Sequence, residues 1–589
     1  MENTIFLETC TLEEEYRKLY KVSMPLESFI TYCIYRCCKP EEMKLYLVPI
    51  IKDDKGMNVC FTNDSLIYIE TIPWQAESCV YPVAMHDDTI VTGLCAVARH
   101  MSKYRTSQQS CKEHEEGLLG FRKSCLQAPN EVSIWTKFCE VDIIKTVKEI
   151  FNLESLNEVP KNLVRFENHL GKPVRVHNVF KVARELEKGN KSNLNANKSQ
   201  GPRVGKPRKW KSYCKKEQQI NSSRKIKDLN ISHQYAEGPF LTLADLVLLP
   251  SYSILVNTIG PTVFENLLPL TNKWYCNLNT VPELDPMKSI LDKIVQKTLL
   301  TEGITVPASD SVSLYKCDPS RHNPKKRLFT KEDDIENALS SLQEGMKLDV
   351  SENTYDLTLN WNDIPNGANP AAGHLPDVRI NRKSQQLENL ALAVLSIAKE
   401  GNKIVDFCSG SGHLGILIAY LLPKCTVILL ENKEQSLLMA RKRVHDMNLK
   451  NVYFFQCNLD FFKGDFDIGV ALHACGIASD LVLDKCLKAN AKFVLCPCCY
   501  GSLHSTDRFT YPRSFKFSSI NIDQYMCIGH AADQTHEEHP LTVRGDLCMA
   551  VIDSDRARLA EECGYKVTLS RLKPLTCTPK NNLLVGVPS

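Results

Sequence analysis

The hydrophobic pattern of the chain is most informative between residues 403 and 431. Ile404 to Phe407 form a short apolar run typical of a buried strand. A Ser/Gly-rich turn follows, then an apolar run with helical spacing from Leu414 to Leu422, and then a second apolar run that ends in Glu431. This order predicts a βαβ unit whose glycine-rich turn connects the first strand to the helix.

Two acidic residues flank this turn, and two glycines lie within it. Glycine has no Cβ, so Gly410 and Gly412 allow the backbone to pass close to a ligand. Asp406 ends the first strand, and Glu431 follows about 20 residues past the glycines, where a carboxylate can accept hydrogen bonds from a ribose. We therefore predict that these four residues bind a cofactor that contains a nucleoside.

Two cofactors fit this pattern. Gly410 to Gly415 also matches the dinucleotide fingerprint, which would indicate NAD. Asp406 would repel a pyrophosphate, whereas the sulfonium and the amine of S-adenosylmethionine are both positive. The order of acid, turn, helix and second acid resembles the class I S-adenosylmethionine-dependent methyltransferases, with Cys408 where their first glycine commonly stands. This resemblance implies S-adenosylmethionine as the cofactor and places Asn458 beside its adenine.

Strand patterns continue through the C-terminal half of the chain. Apolar runs predict further strands at 452–457, 466–472, 492–495, 565–572 and 582–587. The last two are expected to form an antiparallel hairpin. Together with the resemblance, this pattern predicts a Rossmann-like methyltransferase domain with a seven-stranded mixed sheet over residues 356–589.

The fourth and fifth strands of this domain end in tips that carry candidate chemistry. They read His473-Ala474-Cys475-Gly476 and Cys496-Pro497-Cys498-Cys499-Tyr500-Gly501. Both tips should lie at the carboxyl edge of the sheet, where ligands bind in open α/β folds. They resemble a methyltransferase family that includes tRNA 2′-O-methyltransferases, which implies an RNA substrate.

Three chemical hypotheses are open for these tips, beside the alternative that the thiols only pack a pocket without chemistry. In the favoured one, His473 or Tyr500 orients a hydroxyl or amine for attack on the cofactor methyl group. In the second, Cys475 or Cys498 adds covalently to a pyrimidine. In the third, zinc is bound by a set made of His473, Cys475, Cys496, Cys498, Cys499 and His504. We select His473, Cys498 and Tyr500 as catalytic candidates and predict no bound metal.

The first 105 residues predict a small α/β domain. Strands are expected at 42–48, 81–85 and 89–91, before a helix that begins at Thr92. This pattern resembles the thioredoxin-like half of glutathione transferases, and Pro82 matches the cis proline of that family. Thr92 and Gly93 stand where that family has an acid and a serine that hold glutathione.

Residues 106–300 predict a helical domain. Thr242 and Asp245 form a capping box in front of an apolar helix. This segment resembles the core helix of the glutathione transferase C-terminal domain, and we assign the helical domain to binding protein partners. The expected fold class is therefore α/β and all-α, multidomain: a degenerate thioredoxin-like domain, a helical domain, a linker at 301–355 and the methyltransferase-like domain.

A basic segment interrupts the helical domain at residues 188–227. It is rich in lysine and arginine, and Glu217 is its only acid. Such a composition buries too little apolar surface to fold, which predicts a mobile loop. Trp210 and Tyr213 among the cations could stack on bases, so we expect either RNA binding or a solvated linker.

Composition narrows the class of protein further. The net charge of +3 is too small for a strong nucleic-acid field over the whole molecule, so basic character must be local. The 25 cysteines and the absence of a signal-like start favour a cytoplasmic protein with reduced thiols. No apolar run reaches the roughly 18 residues that a membrane span needs.

These observations favour an S-adenosylmethionine-dependent methyltransferase, with RNA as the implied substrate class. A scaffold with a vestigial cofactor pocket is the first alternative. A glutathione-binding transferase is the second.

Overall fold

The computed structural model describes most of the chain. The described residues are 3–10, 21–50, 58–62, 67–69, 71–106, 112–130, 132–176, 179–184, 186, 225–229, 231–294, 297–301, 303–318, 331–342, 348, 350–372, 377–506, 508–534 and 541–589. The predicted basic segment lies outside this set, except for residues 225–227. Its predicted RNA contacts therefore stay a prediction.

The strands are labelled β1 to β15 in chain order. They are β1 Asn3–Cys10, β2 Lys21–Pro25, β3 Met43–Ile50, β4 Asn58–Thr62, β5 Ile67–Tyr68, β6 Val83–His86, β7 Thr89–Thr92, β8 Val350–Ser351, β9 Lys403–Phe407, β10 Thr426–Glu431, β11 Val452–Gln456, β12 Ile468–Cys475, β13 Lys492–Cys498, β14 Tyr565–Arg571 and β15 Asn582–Pro588.

The α-helices are referred to by their bounds. In the N-terminal half they are Leu26–Cys38, Trp74–Glu77, Leu94–Lys103, Ile134–Lys137, Ile143–Phe151, Lys161–Leu170, Leu243–Ile259, Pro261–Leu267, Pro269–Asn279 and Asp285–Leu291. A π-helical turn, Phe138–Asp142, joins two of them. In the C-terminal half they are Glu332–Ser340, Asp377–Ile397, His413–Leu421, Glu434–Asp446, Ile477–Lys488, Ile522–Ala532 and Thr542–Glu562.

The C-terminal half confirms the predicted Rossmann-like domain with a mixed sheet. Its strands follow the order β11-β10-β9-β12-β13-β15-β14. The first five are parallel to one another, and β15 is antiparallel to both β13 and β14. The sheet order reverses between β9 and β12, which opens a crevice at the carboxyl ends of the parallel strands.

This sheet does not end at β11, because β7 of the N-terminal half pairs with it. Phe454 lies opposite Thr89 in a parallel pairing, and β6, β1, β3 and β5 continue the sheet to 13 strands among the described residues. Ion pairs support the join: Arg441 contacts Asp87 and Asp88 at 2.7 Å, and His445 contacts Asp88 at 2.7 Å. The two halves therefore share one continuous sheet.

A shared core lies on one face of this sheet. It contains Phe6 and Val83 from the N-terminal half together with Phe407, Ile428 and Phe455 from the C-terminal half. Burying large apolar side chains on both sides of the join stabilises the contact by the hydrophobic effect. The join is therefore a packed interface as well as a backbone pairing.

The helical part of the N-terminal half surrounds a separate core. The predicted capping box is present: the Asp245 carboxylate accepts hydrogen bonds from Thr242 N at 2.9 Å, Ala236 N at 2.8 Å and Trp274 Nε1 at 2.9 Å. Helix Leu243–Ile259 follows the box and is almost wholly buried. No single helix in the described part of the chain is long and apolar enough to cross a membrane. This helix and Pro261–Leu267 qualify only as a pair bent by 102°.

The segment 301–355, predicted as a linker, contains helix Glu332–Ser340 and strand β8. Ile335 and Ala338 of that helix pack in a buried cluster with Tyr525 and Met549. β8 pairs with β14 at the far edge of the sheet.

Candidate functional site

Six adjacent strands, each parallel to its neighbour, end at one edge of the sheet, and this part of the edge forms the candidate site. Five belong to the C-terminal half, and β7 joins them because it runs parallel to β11. Two cavities open there. The turn cavity, of about 250 Å³, is lined by Lys383, Asp406, Cys408, Ser409, Gly410, Ser411, His413, Leu414, Leu472 and His473.

The junction cavity lies between the two halves and is smaller, about 40 Å³. From the C-terminal half it is lined by Asn432, Gln456, Cys457, Asn458 and Phe461. From the N-terminal half it is lined by Thr92, Cys95, Ala96, Arg99, Leu126, Gln127, Ala128, Pro129, Thr136 and Glu140. Glu431, which ends β10, immediately precedes Asn432 in the wall of this cavity.

The two predicted glycines have different local roles. Both have left-handed backbones, with φ of +56° at Gly410 and +74° at Gly412. A Cβ at Gly412 would lie 2.8 Å from the Leu429 side chain, so this glycine lets the turn pack on β10. A Cβ at Gly410 would meet nothing within 4 Å, so this stretch of backbone is open to a ligand.

Asp406 lies at the end of β9, buried in the wall of the turn cavity. Its Oδ2 accepts a hydrogen bond from Gly415 N at 2.9 Å, which ties the helix His413–Leu421 to the strand. Burial raises the pKa of Asp406 to about 7, although the Gly415 hydrogen bond and the charge of Lys383 lower it and Glu431 raises it. A positively charged ligand beside this carboxyl would favour its ionised form.

Glu431 holds the glycine turn through its carboxylate. Its Oε2 accepts from Gly410 N at 2.9 Å, and its Oε1 accepts from Lys433 N at 2.9 Å. Each carboxylate oxygen has more than one acceptor site, so both can still accept from a diol. The predicted ribose-binding acid is thus already oriented between the two cavities.

Asn458 lies in the wall of the junction cavity, just beyond the end of β11. Its Nδ2 donates to Asn130 Oδ1 of the N-terminal half at 2.9 Å. The residue predicted to lie beside adenine is therefore part of the contact between the halves.

His473 lines the turn cavity and is oriented by two hydrogen bonds in series. Gln386 donates from Nε2 to Cys577 O at 2.8 Å, which directs its Oε1 toward His473 Nε2 at 3.1 Å. His473 therefore donates from Nε2, and Nδ1 is its acceptor. Burial lowers the pKa of His473 to about 4, with Lys383 adding to the effect, so the ring is neutral.

The structure brings together three of the six residues considered as zinc ligands. Cys475 Sγ lies 3.3 Å from Cys498 Sγ and 3.2 Å from Cys499 Sγ. Cys496 contacts Lys580 O instead, and His504 Nδ1 contacts Ser502 O. Cys498 is buried, whereas Cys475 is exposed, so Cys475 is the thiol that a substrate could reach.

Tyr500, selected as a catalytic candidate, does not belong to the lining of either cavity. The side chain is 1% exposed, and its hydroxyl donates to Asp553 at 2.7 Å. Asp553 also accepts from Arg556 at 2.9 Å and from Asn582 at 2.7 Å. The turn after Cys498 rotates the ring into this buried polar network, so the contacts of Tyr500 in this structure are structural.

Several residues that line the cavities or orient a lining residue were not selected from the sequence. Lys383 and Gln386 belong to helix Asp377–Ile397, and their place before β9 was the only available signal. Arg99 and Glu140 come from the N-terminal half, more than 300 residues before Asn458 along the chain. No sequence pattern connected them to the cofactor site.

Comparison with known proteins agrees with the methyltransferase interpretation of this edge. Residues 380–506 match a family described as a methyltransferase domain. Among solved structures, the magnesium protoporphyrin IX methyltransferase of Synechocystis PCC 6803 with bound SAM covers 37% of this chain and 86% of its own at 14% identity. Its TM-score is 0.23. The family match assigns residues 380–506 to a methyltransferase domain.

Relatives at higher identity span nearly the whole chain. The glutathione S-transferase C-terminal domain-containing protein homolog of Drosophila melanogaster is 42% identical over 513 residues, which is 85% of this chain and 83% of that protein. The glutathione S-transferase C-terminal domain-containing protein of Homo sapiens is 34% identical over 619 residues, 96% of each chain. The chain belongs to this family of glutathione S-transferase C-terminal domain-containing proteins.

Proposed function

We propose that the protein binds S-adenosylmethionine along the carboxyl edge of the sheet and transfers its methyl group to a substrate. The observation that carries this proposal is the arrangement of Asp406, Gly410 and Glu431. A buried carboxyl, an open stretch of backbone and an oriented carboxylate follow one another along the crevice. This order matches the amino acid, sulfonium and ribose parts of the cofactor.

The lining of the two cavities supports a place for each end of the cofactor. In the turn cavity, Lys383 can pair with the carboxylate of the methionine part and Asp406 with its amine. Glu431 accepts from the ribose hydroxyls, and the adenine occupies the junction cavity beside Asn458. The sulfonium carries an activated methyl group, so the chain has mainly to position the two reactants.

His473 is the residue best placed to orient the attacking atom. It lines the turn cavity, and the hydrogen bonds through Gln386 leave Nδ1 as an acceptor. An N–H or O–H of the substrate can donate to this atom and so point its lone pair at the methyl group. Cys475 lies two residues further along the chain and is exposed. Covalent addition of its thiol to a pyrimidine is therefore the second candidate mechanism.

RNA is the substrate class we propose. This follows from the resemblance of the two strand tips to a family with tRNA 2′-O-methyltransferases and from the basic segment 188–227. Because the protein as a whole is nearly neutral, the cations of this segment would supply the local charge that attracts the phosphates of the substrate.

For the N-terminal half we propose a thioredoxin-like fold that acts as a platform for protein partners and as one wall of the cofactor site. Its strand order β3-β1-β6-β7 and the cis bond before Pro82 support this fold. Glutathione binding is disfavoured by a contact beside that proline. A Cβ at Gly93 would lie 2.6 Å from Phe461 Cε2, so an aromatic ring of the C-terminal half covers the start of helix Leu94–Lys103.

Calorimetry on the full chain tests the proposal. S-Adenosylmethionine and glutathione are titrated into wild type, into Glu431→Gln and into the control Glu400→Gln. Glu400 pairs with Lys424 on the exposed opposite edge of the sheet, so the same substitution is made away from the crevice. We expect saturable binding of S-adenosylmethionine by wild type and by the control, and no binding of glutathione.

The Glu431→Gln variant should bind S-adenosylmethionine more weakly by about 1.5–3 kcal/mol, the range for a hydrogen bond to a charged group. Absence of S-adenosylmethionine binding by folded wild type would favour the scaffold. Glutathione binding alone would favour the transferase alternative.

A further inference from the structure

The thiols of Cys475, Cys498 and Cys499 form a cluster at the mouth of the crevice, here called the thiol cluster. Their sulfur atoms all lie within 4.8 Å of one another. They come from two strand tips, the end of β12 and the end of β13. Side chains from separate elements have been brought to one point.

The backbone is shaped to bring these thiols together. The pairing of β12 with β13 shifts register between Leu472 and Cys475, and the shift sets Cys475 opposite Cys498. His473 and Cys499 have left-handed backbones, with φ of +69° and +54°. This conformation is uncommon for residues other than glycine and persists where the surroundings require it.

We propose that the thiol cluster binds a thiophilic divalent cation, zinc in the first instance, through three cysteine thiolates. Tetrahedral zinc with Zn–S distances of about 2.3 Å places its sulfurs about 3.8 Å apart. The observed separations of 3.2 and 3.3 Å need an opening of only about 0.5 Å, within reach of small side-chain rotations.

The stoichiometry and the charges fit this ion. Binding of Zn²⁺ releases three protons to solvent, one from each thiol, and the three thiolates then leave one negative charge on the site. Lys433 interacts electrostatically with Cys475, and Lys580 interacts with Cys499, so two cations can offset the negative charge of the site. Asp533 is an acidic residue near the same thiols.

Three protein ligands leave a fourth coordination position. In zinc proteins this pattern is typical of sites that take a water or a substrate atom, whereas structural sites have four protein ligands. Cys475 is the exposed member of the cluster and lies two residues past His473, which lines the turn cavity. If the proposed methyl transfer holds, this fourth position would lie near the place where a substrate meets the methyl donor.

The test uses the full chain, purified metal-free under reducing conditions. Zinc affinity is measured by competition with a chromophoric chelator, and Co²⁺ is used as a spectroscopic probe for thiolate-to-metal charge transfer. The variants are Cys475→Ser and Cys499→Ser, which change thiols that are not fully buried, and the control is Cys563→Ser, an exposed cysteine on another element. Circular dichroism is used to check that each variant is folded.

We expect one equivalent of zinc per wild-type chain and a cobalt spectrum with thiolate charge transfer. Each cluster variant should lose at least about 100-fold in zinc affinity, the upper end of what removal of an outer-shell partner does. The control should bind zinc as wild type does. The proposal is overturned if folded wild type binds no zinc, if the cluster variants bind it as tightly as the control, or if mass spectrometry of the reduced protein finds a disulfide within the cluster.

Discussion

The affinity for S-adenosylmethionine should rise with pH between about 6 and 8, because Asp406 must lose a proton to pair with the amine of the ligand. In the free protein, burial raises the pKa of Asp406 to about 7. The charged groups that face it are Lys383, which lowers this pKa, and Glu431, which raises it. His413 and His473 line the same cavity.

The size of the effect follows from the fraction of ionised carboxylate. With a pKa of about 7, roughly a tenth of Asp406 is ionised at pH 6 and roughly nine tenths at pH 8. If the bound form requires the carboxylate, the affinity rises about tenfold over this range, or about 1.4 kcal/mol.

The raised pKa of Asp406 also makes the free energy of unfolding depend on pH. The folded state binds this proton more tightly than the unfolded chain, so the contribution of Asp406 to the unfolding free energy falls as pH rises from about 4 to about 7. Asp406→Asn, which cannot ionise, should lack this fall.

The assay is calorimetric titration of S-adenosylmethionine at pH 6, 7 and 8 into wild type and Asp406→Asn. The amino group of the ligand titrates in the same range, and the comparison removes this contribution because both proteins bind the same ligand. Between pH 6 and pH 8, the affinity of wild type should rise about tenfold more than the affinity of the variant. Equal slopes for the two proteins, or an affinity of wild type that falls with pH, would refute the reasoning.

Three further substitutions test the fold around the site. Arg556→Met should lower the unfolding free energy by about 3–5 kcal/mol in urea denaturation, because the buried Asp553 carboxylate loses its cation, while the buried Asp480 carboxylate retains Arg513 at 3.7 Å. A change under about 1 kcal/mol would contradict this. Tyr500→Phe should lower the unfolding free energy by about 1.5–3 kcal/mol and leave the affinity for S-adenosylmethionine unchanged. A loss of affinity in the folded variant would indicate that Tyr500 contributes to the cofactor site. Gly93→Ala should be destabilised by about 1–3 kcal/mol, because its φ is +103° and Phe461 fills the space; wild-type stability would show that the two halves do not pack there.

The fold of the C-terminal half could be predicted from the sequence because the residues that determine it lie close together along the chain. The strand, turn and helix that place Asp406, Gly410 and Glu431 are adjacent along the chain, and the spacing of apolar residues fixes their order. The structure brings all three to one edge of the sheet. Such βαβ units constrain their own geometry through a right-handed connection.

The remaining features depend on contacts between distant parts of the chain. β7 and β11 pair across more than 350 residues, and neither strand carries a signal for its partner. Tyr500 follows a strand tip, which suggested a place in the crevice, but Asp553 lies about 50 residues later and draws its hydroxyl into the core. A side chain beside a predicted site can thus be directed away from it by a partner that the sequence does not identify.

A crystal structure of the full chain with S-adenosylhomocysteine would test the proposed cofactor site most directly. The expected result has the ribose hydroxyls within hydrogen-bonding distance of the Glu431 carboxylate and the adenine in the junction cavity beside Asn458, against residues of both halves. A ligand bound elsewhere, or a crevice that stays empty at a saturating ligand concentration, would contradict it.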